Sequence, residues 1–332
     1  MEHYDVIIIG TGAGGGTLAA KLAPTGKKIL ILERGDYIPR EKENWDTEEV
    51  FVKGRYTANE PWIDKDGEEF KPQIHYCVGG NTKFYGAALF RMREEDFGET
   101  RHEGGVSPAW PISYRDLQPY YLEAEKMYHV HGVRGSDPTE PPESEPYPLP
   151  PLKHEPSIQK LFDDIKTTGI KPFPLPIGVD LGAEEGVSPV ILDRFDGFPD
   201  PTGSKGDSHV MGIKKAVKHD NVTLLTHALV TELRMNSEGT KITEVVTEID
   251  GAKKAFSSGT VIVACGAINS AVLLLKSKSE KHPNGLANGS GLIGRHYMAH
   301  NNSAMLALSK TPNTAKFGKT FAINDFYLKG DD

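Results

Sequence analysis

Hydrophobic positions gather into two unbroken quartets near the start of the chain and into alternating stretches near its end. Val6-Ile7-Ile8-Ile9 and Ile29-Leu30-Ile31-Leu32 carry the pattern of parallel strands covered on both faces. Residues 17–23 between them have helical spacing, so the opening segment is a strand–helix–strand unit. Residues 36–71 are charged and irregular with scattered aromatics (Trp45, Phe51, Tyr56, Trp62), a surface excursion. Ser113 and Asp116 are spaced as a capping box, and Leu117, Tyr120, Tyr121, Ala124 and Met127 recur behind them at helical spacing. Prolines crowd residues 137–156, which excludes helix and central strand and leaves an extended connection along the surface. Residues 158–168 form a helix ended by Gly169, and residues 208–218 another. Strands are then expected at 222–225, 229–235, 242–249 and 260–264, with an apolar helix at 267–276 after Gly266. No internal repeat is present. The pattern is α/β with a sheet-bearing insertion.

The first strand runs directly into Gly10-Thr11-Gly12-Ala13-Gly14-Gly15, which supplies G-x-G-x-x-G spacing. Gly10 permits the tight turn, Gly12 lets backbone approach a pyrophosphate, and Gly15 lets helix pack close to strand. The N–H groups around Ala13 and Gly14 then point at phosphates from the positive end of the helix. The second strand ends in Glu33, 18 residues after Gly15, where a carboxylate accepts hydrogen bonds from a ribose hydroxyl. Strand, turn, helix, strand and acid in order imply a dinucleotide, either FAD or NAD.

Composition narrows the setting. Of 332 residues, 38% are hydrophobic; counting glycine in and tyrosine out brings this to roughly 45%, an ordinary globular value. The length implies two domains or one elaborated domain. A net charge of −8 argues against a nucleic-acid or anionic-membrane surface. Cys77 and Cys265 are the only cysteines, which disfavours a disulfide framework or a cysteine metal site and fits a reducing compartment. The first strand begins too early to leave room for a leader, and no apolar run reaches the ~20 residues needed to span a bilayer. A cytoplasmic protein is expected.

Other residues invite chemistry without completing it. His129 and His131 alternate at the end of a helix, with nothing nearby to make a metal set, and are expected at the surface. His296 and His300 have the i, i+4 spacing of zinc helices without the accompanying Glu. Asp193, Asp196 and Asp200 lack calcium-loop spacing and are expected in a solvated turn. No metal site is expected. No nucleophile-elbow motif occurs, so hydrolase chemistry has no support.

Several separated motifs, taken in order, resemble the glucose–methanol–choline (GMC) oxidoreductase family. Gly79-Gly80-Asn81-Thr82 with Gly86 resembles its first signature, and Gly266-Ala267-Ile268 with Ser270, Leu273 and Leu274 resembles its second. Pro111-Ile112-Ser113-Tyr114 with Pro119-Tyr120-Tyr121 resembles its lead into a substrate-domain helix. Asn221-Val222-Thr223 through Val230, and Gly294-Arg295 with His300, resemble two further stretches. The resemblance covers essentially the whole chain and implies FAD, a Rossmann-like FAD-binding domain and a partial, sheet-containing substrate domain. It implies cofactor contacts at Gly10, Gly12, Ala13, Gly14, Gly15, Glu33, Gly79, Gly80, Asn81, Thr82 and Val230. The divisions expected are residues 1–95 and 205–300 for the FAD-binding domain, 96–204 for a connecting and substrate-domain excursion, and 301–332 for the start of an incomplete sheet.

Departures from the family pattern matter as well. Ala271 replaces a proline, Lys276-Ser277-Lys278 lacks the glycines that commonly follow, and Tyr85 replaces an asparagine beside the flavin. Phe84 stands where some relatives bear a histidine bonded to the flavin, so attachment is expected to be non-covalent. The family oxidises alcohols, sugars or polyols by hydride transfer to the flavin, using a C-terminal histidine beside a second His or Asn. That pair has no counterpart here. The catalytic residues are therefore unknown in this chain, and the C-terminal catalytic part is expected to be absent or separately encoded. Two readings compete with an active alcohol oxidoreductase: a truncated or partly folded FAD-binding fragment without activity, and an NAD(P) dehydrogenase built on the Rossmann unit alone.

Overall fold

A computed structural model describes residues 1–332 except 65, 103, 144, 183–195, 201, 300, 301 and 329–332. Two compact units result: Met1–Phe84 with Asp207–Leu306, and Tyr85–Gly206 with Ala307–Asp332.

The first unit is built on a six-stranded sheet. Its strands are β1 (Glu2–Ile9), β2 (Ile29–Leu32), β3 (Val222–Leu225), β4 (Ala228–Met235), β5 (Ile242–Ile249) and β6 (Ala252–Val263), and its main helices are α1 (Ala13–Leu22) and α2 (Ala267–Lys276). The spatial order is β3-β2-β1-β6-β5-β4. Neighbours among β3, β2, β1 and β6 run parallel, whereas β5 pairs antiparallel with both β6 and β4. The apolar quartets sit at the centre, Val6 facing Ile29 on one side and Thr260 on the other. Their side chains alternate between two cores. Ile7, Ile9, Leu30 and Leu32 join Leu233, Val245, Phe256 and Leu273 on one face. Val6, Ile8, Ile29 and Ile31 join Ala19, Ala23, Ile213 and Ala216 on the other. This double burial is what the unbroken runs imply.

Helix α1 begins at Ala13, where the sequence reading places its first free N–H groups, and its glycine-rich first turn is held by packing. A Cβ at Gly15 would lie 2.0 Å from the Gly10 carbonyl oxygen, and one at Gly16 would lie 2.0 Å from Ser208 Oγ. Two details differ from the sequence reading. The expected helix at 208–218 is instead a wide π-type turn, His209–Ile213, followed by one α turn, Lys214–Ala216. A Cβ at Gly212 would lie 2.5 Å from the Gly16 oxygen, so this turn crosses α1 glycine against glycine. Finally, β4 and β5 are not an inserted sheet. They extend the central one through β6, whose polar first half pairs with β5 and so escapes an apolar-run reading.

A closed ring of hydrogen bonds fixes the turn between β1 and α1. The buried Thr11 hydroxyl oxygen accepts from Gly79 N–H at 3.0 Å, and the Gly79 carbonyl accepts from the Thr82 hydroxyl at 2.5 Å. Thr82 Oγ1 in turn accepts from Ser208 N–H at 3.0 Å. Ser208 Oγ closes the ring, lying 2.9 and 2.8 Å from the carbonyl oxygens of Thr11 and Gly12, to which it donates. Beside it, Lys83 and Asp207 form a buried ion pair at 2.7 Å.

Among the described residues, the second unit carries short two-stranded pairings and two α-helices. Tyr114–Met127 opens on the expected capping box, Ser113 N–H donating to Asp116 Oδ2 at 2.8 Å. Pro156–Lys166 buries Ile158 and Phe162. The proline-rich segment is tied down by ions as well as packed. Arg91 grips Glu125 with two bonds of 2.7 and 2.8 Å and reaches Glu143 at 3.0 Å, while Arg134 joins Glu125 to Glu140. Two expectations of surface placement fail here. His131 is buried in the strand Val130–His131, its Nδ1 2.6 Å from the Pro150 oxygen. Asp200 is buried because its carboxylate serves as a local anchor, accepting from Thr202, Ser204 and the Lys205 N–H. Asp193 and His300 lie outside the described residues.

Two outcomes test this packing. Gly15→Ala should lower unfolding free energy by about 2–3 kcal/mol, because backbone rather than a movable side chain meets the new methyl. Gly14→Ala, whose Cβ meets nothing within 4 Å, should stay within about 1 kcal/mol of the parent in urea titrations. The second concerns His209, whose pKa is depressed to about 4 by burial first and by Lys83 second. The native state favours the neutral ring, so the contribution is complete above pH 6.5 and lost as pH falls toward 4. Denaturation from pH 7 to 4 should show a decline steeper than that of His209→Gln by on the order of 2 kcal/mol. Parallel curves for the two proteins would contradict it.

Candidate dinucleotide site

Parallel strands leave their carboxyl ends at one edge, where loops diverge and a crevice forms. In the first unit the ends of β1, β2 and β6 open onto a cleft of about 500 Å³, a size suited to a small organic ligand. Its floor is the glycine turn. Gly10 adopts φ +96°, and a Cβ there would lie 2.5 Å from the Ala264 oxygen, so only glycine permits this crossing. Gly12 is the N-cap of α1 and offers no side-chain cap, and the first turn holds no acidic residue. A Cβ at Gly12 or Gly14 would enter open space. Uncapped N–H groups at the positive end of a ten-residue helix, beside room that side chains would otherwise fill, make an anion cradle.

Glu33 follows β2 and is buried. Its Oε2 accepts from the Thr11 N–H (3.1 Å) and hydroxyl (2.6 Å), and its Oε1 accepts from Gly35 N–H at 2.9 Å. A carboxylate has about four acceptor positions, so this one is oriented by protein while keeping capacity for a ligand hydroxyl. The opposite wall is α2, which presents Asn269, Val272, Leu273 and Lys276 along one face at helical spacing. The first residues of β4, among them Val230, complete an apolar side.

Of the residues named from sequence, Gly10, Gly12, Ala13, Gly14, Glu33, Gly80, Asn81, Thr82 and Val230 meet at this cleft. Gly15 and Gly79 do not line it. Gly15 packs against Gly10, and Gly79, at φ +97°, acts through its N–H on Thr11. Sequence reasoning missed Thr11, Arg34, Glu60, Tyr76, Asn269 and Lys276, which line the cleft, and Ser208, which braces its floor. The i, i+3, i+4, i+7 spacing on α2 was an available signal; for Glu60, in an irregular charged stretch, there was none.

The reactive side chains nearby are quiet. Burial pushes the Cys77 thiol up to about 12, aided by the charge of Glu33, and Cys265 up to about 11 for the same reasons; both stay protonated and unreactive. Phe84 is buried and stacks on His75 with ring centres 3.5 Å apart, and burial lowers the His75 pKa. His296 lies outside any helix in a left-handed conformation, φ +59°. Among the described residues no cluster of His, Cys, Asp or Glu could hold a metal, and no helix is long and apolar enough to cross a membrane.

Comparison with known proteins agrees with this geometry. The chain is 30% identical to a 6'''-hydroxyparomomycin C oxidase of Streptomyces lividus, over 99% of its own length and 61% of that protein. It is 29% identical to a 2-methyl-1,2-propanediol dehydrogenase of Mycolicibacterium austroafricanum, over 98% and 61% respectively. The chain thus spans about 61% of the length of these curated relatives. Among solved structures, an FAD-dependent oxidoreductase from Chaetomium thermophilum superposes with a TM-score of 0.56 at 15% identity, covering 82% of this chain and 47% of that one. Pyridoxine 4-oxidase from Mesorbium loti gives 0.54 at 17% identity, with 82% and 51% covered. These structures share its fold. The GMC oxidoreductase profile matches residues 4–302, and the chain belongs to that family.

Proposed function

We propose that this chain forms the cofactor-binding part of an FAD-dependent oxidoreductase acting on the CH–OH group of an alcohol, sugar or polyol. FAD is the cofactor, and one observation carries its placement: an uncapped, acid-free helix N-terminus opens beside a protein-oriented carboxylate. The residues present fit the group. N–H groups at Gly12, Ala13 and Gly14 would hold the pyrophosphate, Glu33 the ribose, and backbone at Val230 the adenine, with Gly80, Asn81 and Thr82 toward the flavin. Gly15 and Gly79 support this set through packing and through Thr11. Bound FAD supplies the acceptor for a hydride leaving an alcohol carbon. The chain's own work is to bind and orient it.

Phe at position 84 cannot bond to the flavin, and we take attachment to be non-covalent. No residue is assigned as catalytic base. The relatives named for 6'''-hydroxyparomomycin C and 2-methyl-1,2-propanediol support a hydroxyl-bearing small molecule as substrate. The chain spans 61% of those relatives, and we propose the activity for it together with a C-terminal part, taken to be separately encoded. The second reading is an FAD-binding fragment inert by itself. The low cysteine count supports a cytoplasmic setting.

Reconstitution separates these readings. The purified chain mixed with FAD and desalted should be yellow, and acid should release the flavin intact. Joined to a C-terminal part taken from a relative, its flavin should bleach anaerobically with some member of an alcohol and sugar panel. A colourless product, or one retaining a nicotinamide instead, would contradict FAD binding. A yellow protein that no alcohol bleaches in either form would favour the inert fragment.

A further inference from the structure

One cluster on the cleft has no part in the contacts assigned so far. Arg34 follows Glu33, and its guanidinium carbon lies 3.6 Å from the centre of the Tyr76 ring. Its Nη1 meets Glu60 Oε2 at 3.2 Å, and the same carboxylate oxygen accepts from the Tyr76 hydroxyl. Asn269 of α2 reaches that hydroxyl at 3.5 Å. Hydrogen bonding from Tyr76, and the charges of Arg34 and Lys276, hold the Glu60 carboxyl below its ordinary range despite partial burial. All five side chains line the cleft.

The backbone beneath this cluster is fixed although its tips are free to respond. Asp36 pairs with Cys77, Val78 N–H donates to the Asp36 carbonyl at 3.1 Å, and a Cβ at Gly35 would lie 2.0 Å from the Tyr76 oxygen. Arg34 and Tyr76 therefore emerge from two segments joined by this bridge, whereas Glu60 belongs to an irregular stretch. Arg34 and Glu60 keep 28% and 47% of their side-chain surface exposed. A half-exposed ion pair contributes little to folding. A planar cation held flat on an aromatic ring next to the ribose carboxylate offers a flat, charged wall to a purine nucleoside.

Resting on the FAD reading above, we propose that Arg34, Tyr76 and Glu60 form a clasp that retains the adenosine part of the cofactor and selects adenosine-bearing ligands. Arg34 is the binding element, Tyr76 its platform, and Glu60 the pin that sets its orientation. The clasp positions the cofactor's remote end and takes no part in the redox chemistry.

The test uses the full chain stripped of flavin, titrated calorimetrically with FAD and with ADP, together with FAD release rates and melting of the unliganded protein. Arg34→Ala should weaken FAD and ADP by a similar factor of about ten or more, corresponding to roughly 1.4 kcal/mol, and should speed FAD release. Its unliganded melting temperature should be unchanged. Arg34→Lys should not restore affinity, because an ammonium lacks the flat stacking surface. Tyr76→Phe, which keeps the ring and loses the bond to Glu60, should give an intermediate loss. If the parent binds and Arg34→Ala binds within twofold, the FAD reading stands and the clasp is overturned. A loss accompanied by a lower melting temperature, or fully rescued by lysine, also overturns it in favour of a folding or simple charge effect. If the parent chain binds neither ligand, the FAD reading and the clasp fall together.

Discussion

The site depends on a ring of four hydrogen-bonding residues, Thr11, Gly79, Thr82 and Ser208, which ties three distant stretches of chain around one turn. A turn rich in glycine is a poor structure by itself, because its backbone has the most freedom to lose on folding. Packing can bring such a turn close to its neighbours but does not give its N–H groups a direction. The ring does, by holding the carbonyl oxygens of Thr11 and Gly12 and leaving the first N–H groups of α1 to face the cleft. Thr11 also passes the constraint to Glu33, so the glycine turn and the Glu33 carboxylate are oriented by one side chain.

Around this centre the sheet supplies rigidity and the glycines supply proximity. Val6–Ile9 and Ile29–Leu32 are buried on both faces, which fixes where β1 and β2 end and therefore where the crevice opens. Gly15, Gly16 and Gly212 let α1, its preceding turn and the 209–213 turn approach to distances that any Cβ would prevent. Close approach in turn places Ser208 within reach of the turn carbonyls. The tight glycine contacts and the polar ring are thus two parts of one arrangement.

Much of this was legible in the chain because it rests on local periodicity. Both quartets, the 267–276 helix, the capping box at Ser113 and the placement of Glu33 after the second strand leave direct signals. What escaped is long-range or made of residues without a pattern. Half of β6 is polar because its partner β5 lies toward the sheet's edge. His131 and Asp200 look like surface residues until partners distant or local bury them. The ring joins Thr11 to Ser208 across 197 positions, and no spacing rule anticipates that. Glu60 and Tyr76 reach the cleft only because folding brings an irregular charged stretch against the end of β2.

Whether the ring acts as a unit is open to direct measurement by a double-mutant cycle. Thr11→Val and Thr82→Val each open it at a different place, one hydroxyl accepting from the Gly79 N–H and the other donating to the Gly79 carbonyl. If the ring is cooperative, the second substitution should cost less once the first is made, with a coupling of about 0.5–1.5 kcal/mol in urea unfolding. FAD affinity should show the same non-additivity. Losses that simply add, in both stability and affinity, would mean independent bonds and would contradict the view that this ring organises the site.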